Sequence, residues 1–454
     1  MRRGFITLEC MIALGLCAVT TVSAYVIIHQ AQTHATRTHQ LQEALDLAKK
    51  TTLDFSRTES TTHERSHTIE IEISRIDPFT KEITTRVTPD GLSTVVELSS
   101  IATDPRAEGS SQCDLLMNFG WNNPRVVGAV SLSPNQSFTD IQIKGLYAYA
   151  TASASGSSDP NFYVIDVSDE LAPSIVASLR TGSARTNNNL HVTPRYAFIA
   201  ASSSTQLQVV DISDITHPRV VAIYKMPGVT VSGRSGIGSA VYFYHDMLFV
   251  GLTKAAGPEF FVVDVSNPVR PRSVGSLEIN ATVNNIFAID SKIYITATNN
   301  EHLQLIDISN PSFPQKISVF SSPDSHHTGM SIAYSNDVLF MGRNVDAIGM
   351  KQSPKTELFS FFDRTAIQSP LTSLHVGASV NAVIARLPLL ALATNVSGKE
   401  LQFWNISDTH AATRISTLQL GGGAVGLECS SQTFIAISNN NQGRGVLSII
   451  QGSP

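Results

Sequence analysis

One pattern constrains this chain more than any other: an apolar strand that ends on Asp, turns, and restarts after Pro. The clearest copies read FYVIDVSDELAP from residue 162, LQVVDISDITHP from 207, FFVVDVSNPVRP from 260 and LQLIDISNPSFP from 303. Looser copies follow as FSFFDRTAIQSP from 359 and LQFWNISDTHAA from 401, and LSIIQ at 447–451 opens a seventh. The equivalent positions are Asp166, Asp211, Asp264, Asp307, Asp363, Asn405 and Gln451, separated by 45, 53, 43, 56, 42 and 46 residues.

Each copy follows another short apolar run (YAYAT at 147, YAFIA at 196, MLFVG at 247, KIYIT at 292), itself preceded by a polar-to-apolar stretch. The Pro then opens a fourth run, as in PSIVASL at 173 and PRVVAIY at 218. Four short strands at a period near 40–50 define a β-propeller blade. The seventh unit reaches the last residue, Pro454, after only three strands, while PRVVGAVSL at 124–132 has the fourth-strand pattern and no third strand before it. The fold class expected is mainly β: a seven-bladed propeller over 124–454, closed by strand 124–132 and leaving no sheet edge open. These copies resemble the LVIVD repeat, a motif of bacterial and archaeal surface proteins, and the resemblance implies a propeller with a cell-surface bias. The D-x-S-[DN] string reads as turn chemistry, with side chains accepting backbone N–H groups two residues on. As a calcium site it offers few oxygens per copy, and the copies fall in different blades.

The amino terminus is of another kind. After Arg2 and Arg3, residues 5–28 carry a single charge, Glu9. As a helix this run is long enough to cross a bilayer, and the arginines place everything after residue 30 outside the cytoplasm. A plain anchor leaves Glu9 unexplained, and a cleaved secretory signal conflicts with the apolar run continuing to Ile28. The opening MRRG-FITLE resembles a type IV prepilin: a basic leader ending in Gly4, Phe5 as the mature first residue and Glu9 as the fifth. The resemblance implies cleavage by a prepilin peptidase between Gly4 and Phe5 and methylation of the Phe5 amine. It also implies pairing of Glu9 with the amine of a neighbouring pilin subunit. Val26 stands where many major pilins have Pro, which points to a minor pilin or pseudopilin. Leu41, Leu45, Ala48 and Leu53 continue at helical spacing, so one helix is expected over 5–56, with 5–28 in the membrane and 1–4 as leader. His29, His34 and His39 do not share a face of it and read as solvated. Three alternating runs across 66–102 predict a small antiparallel sheet, and 103–123 a linker.

Cys10 and Cys17 fall in the apolar run and read as small hydrophobes. Cys113 precedes the closing strand, and Cys429 lies in the first strand of the blade it closes, so a disulfide between them is expected. With 32 basic against 37 acidic residues and no basic run, no nucleic-acid partner is expected. No nucleophile, metalloprotease, phosphate-loop or dinucleotide motif occurs at a useful place. His326-His327 reads as solvated or hydrogen-bonded, and no catalytic residue, metal or cofactor is expected. The first-strand segments begin with Ser, Thr, Asn and Gly, a lining that suits binding a surface glycan or protein more than acid–base catalysis. Three functions remain open: a minor pilin displaying a binding or adhesive propeller, a pseudopilin-like part of a secretion or DNA-uptake machine, and a hydrolase with an unrecognised site.

Overall fold

The third run of each repeat is apolar at nearly every position, so it must be covered on both faces. In the computed structural model it forms the third strand of each four-stranded sheet, with Val164, Val209, Val262 and Leu305 fully buried. Burying one such side chain contributes roughly 1.5–3 kcal/mol. The structure describes residues 7–11, 22–27, 60–64, 67–77, 80–89, 96–103, 113, 116 and 120–453. Within the last range 155, 157, 183–185, 323–326, 346–355, 364, 365, 368, 408–411 and 431 are excepted. The chain divides into two units, Met1–Gly109 and Ser110–Pro454.

The second unit is a seven-bladed propeller. The first strands are Ser137–Lys144, Asn187–Val192, Gly238–Tyr244, Val283–Ile289, His327–Ser335, Val380–Arg386 and Gly422–Ser430. They neighbour one another in a closed circle, and each is an edge of its own antiparallel sheet. The seventh sheet runs Gly422–Ser430, Thr433–Asn440, Gly445–Ser453 and then Gly120–Ser131, so the amino-terminal strand of the unit pairs with the last strand of the chain. This clasp starts four residues earlier than the sequence pattern suggests. Its Trp121 is buried against Phe403 and Phe434, with centroids 5.0 and 4.7 Å away, and its indole N–H donates to Leu116 O at 2.9 Å. Cys113, Leu116 and Trp121, all within the expected linker, thus belong to the core between the sixth and seventh blades. Cys113 and Cys429 form a disulfide, with Cα atoms 5.5 Å apart.

Two further positions hold the ring. Every first strand carries a bulge, and at every blade interface a side chain donates to the carbonyl just ahead of the neighbour's bulge. The seven bonds are Thr139 to Asn187, Asn188 to Gly238, Ser239 to Val283, Asn284 to Gly329, Ser331 to Val380, Asn381 to Ala424 and Asn439 to Phe138, at 2.5–3.0 Å. The fourth strands carry a small residue opposite the middle of the third: Ala177, Ala222, Gly275, Ser318, Thr372, Ser416 and Gly128. A Cβ on Gly275 would lie 2.1 Å from Pro311 O in the next blade's Asp turn. Gly275→Val should therefore lower the urea midpoint by an amount worth about 1–3 kcal/mol, with the slope unchanged. An unchanged midpoint would show that the turn yields freely.

The first unit is a six-stranded antiparallel sheet in the order Thr7–Met11, Val22–Ile27, Val96–Thr103, Thr80–Pro89, His67–Asp77, Ser60–Glu64. Its three central hairpin-linked strands fall where 66–102 alternates. Of the helix expected over 5–56, two stretches are described, Thr7–Met11 and Val22–Ile27, both as strands, and the rest lies outside the described residues. An apolar run rich in Thr, Val and Ile meets its backbone hydrogen bonds either as a helix or along a sheet edge, and hydrophobicity alone does not separate the two. No helix among the described residues is long and apolar enough to cross a membrane.

Candidate functional site

The inner strands converge on the propeller throat, and their free edges present N–H groups that need partners. Asp140 Oδ2 accepts from Leu190 N at 3.0 Å and from the Asn189 amide at 2.5 Å. Gln142 accepts from Val192 N, and Asn189 in turn from Val241 N, both at 2.7 Å. The first three blades are thereby laced together by polar side chains. One step along the same strands, His191, Tyr242 and Phe287 form an aromatic arc across three consecutive blades, with centroids 4.8 and 5.7 Å apart. Glu428 of the seventh blade occupies the equivalent step after its own bulge.

Burial sets the charge of this throat. Desolvation raises Glu428 to about 8, helped by the negative charge of Asp140 and opposed by Arg386. Asp140 is raised to about 7 by burial, against its hydrogen bonds from Leu190, Ile141 and Asn189. His191 is lowered to about 3 by burial and then by Lys144, and Tyr242 is raised to about 12 by burial first. Near neutral pH the throat therefore holds a protonated Glu428, a neutral His191 and an Asp140 close to its midpoint. Carboxyl, imidazole, phenol and amide groups around an aromatic arc can donate to and accept from a polar ligand, and stack on its apolar face.

The residues singled out in the sequence fall elsewhere. Gly4 and Phe5 lie outside the described residues, and Glu9 sits in the strand Thr7–Met11, in register with Tyr25. His326 also lies outside them. His327 is buried, and its carbonyl accepts from the His302 ring at 2.8 Å. The D-x-S string is a turn: Asp166, Asp211, Asp264 and Asp307 accept the N–H two residues on at 2.8–3.0 Å, as does Asn405. These bonds, largest from Ser266 and Ser309, hold Asp264 and Asp307 below the usual carboxylate range.

Sequence reading missed the throat because Asp140 and Glu428 are 288 residues apart and meet only through ring closure. Aligning the first strands by their bulges is the signal that finds them. It also missed a buried polar residue just ahead of the third strand in the first six blades. Asn161, Gln206, Glu259, His302, Glu357 and Glu400 accept main-chain N–H groups from the loop leading into the next blade, at 2.7–3.2 Å. In the seventh blade Arg444 donates to Leu132 O instead, at 2.7 Å. These side chains, Glu259, Glu357 and Glu400 among them, fasten loops.

The LVIVD repeat model matches residues 184–226, 255–278 and 293–320, and the chain carries LVIVD repeats at these places. The fold is similar to the crystal structure of the WD40 β-propeller domain of Doa1, at 12% identity and a TM-score of 0.50, covering 72% of this chain and 97% of that one. It is similar also to a chain of the mitotic checkpoint complex crystal structure, at 12% identity and a TM-score of 0.50, covering 74% of this chain and 93% of that one. At such identity the likeness defines the fold alone, a propeller of WD40/LVIVD type. No curated protein matches the sequence.

Proposed function

We propose that this protein is a minor-pilin-like surface protein, anchored or assembled through residues 5–28, that displays its propeller outside the membrane and binds a polar surface ligand, a glycan or a protein loop, in the throat. One observation carries the binding role. Residues that hold the ring recur from blade to blade, as Asp140 and Asn189 do, whereas His191, Tyr242, Arg386 and Glu428 occur once each and converge on one opening. Ring stability alone does not call for that asymmetry. The display role rests on MRRG-FITLE and the apolar run behind it. Inside a bilayer every backbone group of such a run must be satisfied within the segment, and on this reading the run is a helix there.

Processing tests the display role. Coexpressed with a prepilin peptidase, the mature chain should begin at Phe5. Retention of residues 1–4 in its mass spectrum would refute the prepilin reading. Glu9→Leu should be cut normally yet fail to enter filaments. For the throat, Tyr242→Ala should abolish binding of the full chain to intact cells or glycan arrays while thermal melting shows a folded ring. Unchanged binding places the ligand elsewhere.

A second reading, hydrolysis, is favoured by two carboxyl groups in adjacent blades with raised pKa values, one suited to donate a proton near neutrality. Turnover of a glycan or ester that Glu428→Gln abolishes would replace binding with catalysis.

A further inference from the structure

Four asparagines stand in the acceptor form Asn-x-Ser/Thr with no Pro between: Asn135, Asn280, Asn395 and Asn405. Asn280 differs from the rest. It is the centre of Glu278-Ile279-Asn280-Ala281-Thr282, and where this run has Glu278 the other three have Ser133, Ala393 and Phe403. The run is the loop between the fourth strand of the third blade, Arg272–Leu277, and the first strand of the fourth, Val283–Ile289. Ile279 and Ala281 are 1% and 2% exposed and belong to the core between these blades, whereas Asn280 between them is exposed. Its φ of 61° is left-handed, a conformation that Asn tolerates. The backbone of this apex is engaged: Asn280 N–H donates to Glu259 at 2.9 Å, and its carbonyl accepts from Lys254 Nζ at 3.0 Å. Its side-chain amide has no hydrogen bond among the described residues. The loop is thus held by two apolar anchors and two backbone bonds, and the fold makes no use of the side chain at its tip. The other acceptors are tied in. Ser137 donates its hydroxyl to Gly443 O at 2.9 Å, Asn395 Oδ1 accepts from Ser379 N at 3.2 Å, and Asn405 Oδ1 accepts from Ser407 N at 2.8 Å. The Thr282 hydroxyl accepts from Lys254 N at 3.1 Å and keeps its own proton to donate.

We infer that Asn280 is an N-glycosylation site whose donor is an oligosaccharide carried on a lipid diphosphate. Asn280 Nδ2 attacks the anomeric carbon: the C–N bond forms as the C–O bond to the diphosphate breaks, the amide proton goes to solvent and the lipid diphosphate leaves. The Thr282 hydroxyl and the Glu278 carboxylate are the groups that mark this asparagine for the transferase. With Ile279 and Ala281 buried in the finished ring, transfer comes before the third and fourth blades close. The folded ring then carries the product, because the Asn280 side chain is open to solvent. The inference rests on the display reading above, since such donors are used outside the cytoplasm, and it is independent of the throat.

The full-length chain would be coexpressed in bacterial cells with an oligosaccharyltransferase and its lipid-linked donor, and its tryptic peptides weighed. Residues 273–292 form one such peptide and contain no other acceptor asparagine. Most of it should carry the glycan mass, with occupancy at Asn135, Asn395 and Asn405 lower by roughly tenfold. Asn280→Gln and Thr282→Val should remove the mass, Thr282→Ser should retain it, and Glu278→Gln should lower occupancy by roughly tenfold. Asn280→Gln should melt at the parent's temperature, since the amide it replaces makes no bond. Protease added to spheroplasts of the same cells reports on which side the propeller lies. A propeller that is cut there yet carries no glycan overturns the inference and leaves the display reading standing, whereas a protected and unmodified one overturns both. Occupancy spread equally over the four asparagines, or undiminished in Glu278→Gln, also overturns it.

Discussion

Replacing Cys113 and Cys429 together by Ser should lower the unfolding free energy of the propeller by about 2–5 kcal/mol, read from urea midpoints under oxidising conditions. The bond spans 316 residues and so constrains nearly the whole ring in the unfolded chain. Removing the clasp goes further. A chain beginning at Ser133 lacks Gly120–Ser131, leaves the edge of Gly445–Ser453 unpaired and uncovers Phe403 and Phe434 where Trp121 sat. Such an edge templates association, so this chain should aggregate, while one beginning at residue 110 stays soluble. Equal solubility and equal urea midpoints of the two would show that the ring closes without its amino-terminal strand.

The second large effect is on pH. Asp140 and Glu428 are held at about 7 and about 8, above their ordinary 3.8 and 4.5. A carboxyl that grips its proton more tightly when folded contributes stability that is full below its ordinary value and lost as pH rises through the folded one. His191, held at about 3 instead of 6.5, works the other way: its contribution is full above 6.5 and lost as pH falls toward 3. Between pH 6.5 and 8.5 His191 adds only the small remainder of its titration, and the two carboxyls dominate. Stability should therefore fall across that window by on the order of 2 kcal/mol. Glu428→Gln mimics the protonated side chain, so it should match the parent at pH 6 and exceed it at pH 8.5. A flat parent profile, or a slope undiminished in Glu428→Gln, would place Glu428 in water; the smaller slope that Asp140 alone supplies should remain.

The ring was readable in the sequence where one physical demand recurs. A third strand covered on both faces must be apolar, and its exit turn needs an acceptor two residues before a free N–H. FYVID, LQVVD, FFVVD and LQLID state both demands in the same letters. The clasp was readable from an unmatched strand at each end of the propeller. The throat was not, because each first-strand residue answers to a different neighbour: Asp140 to an edge N–H, His191 to Tyr242, Glu428 to Arg386 and Asp140. The amino-terminal run was ambiguous for another reason. Apolarity over 5–28 specifies burial and leaves the secondary structure to the surroundings. The expected linker hid Leu116 and Trp121, two apolar residues too widely spaced to show a period, which lie in the clasp core.

The disulfide has a mechanical meaning that follows from chain order. Cys113 precedes the clasp, so tension arriving from the amino-terminal side meets the bond before it meets Gly120–Ser131. The load passes to Cys429, in the inner strand of the seventh blade, and the clasp lies on a branch that bears no pull. Its backbone pairs with Gly445–Ser453 are thus spared being unzipped one after another from the Gly120–Ser453 end. For a domain tethered at one end and gripping something at the other, rupture is shifted from a row of weak bonds to a covalent one, for as long as the compartment stays oxidising.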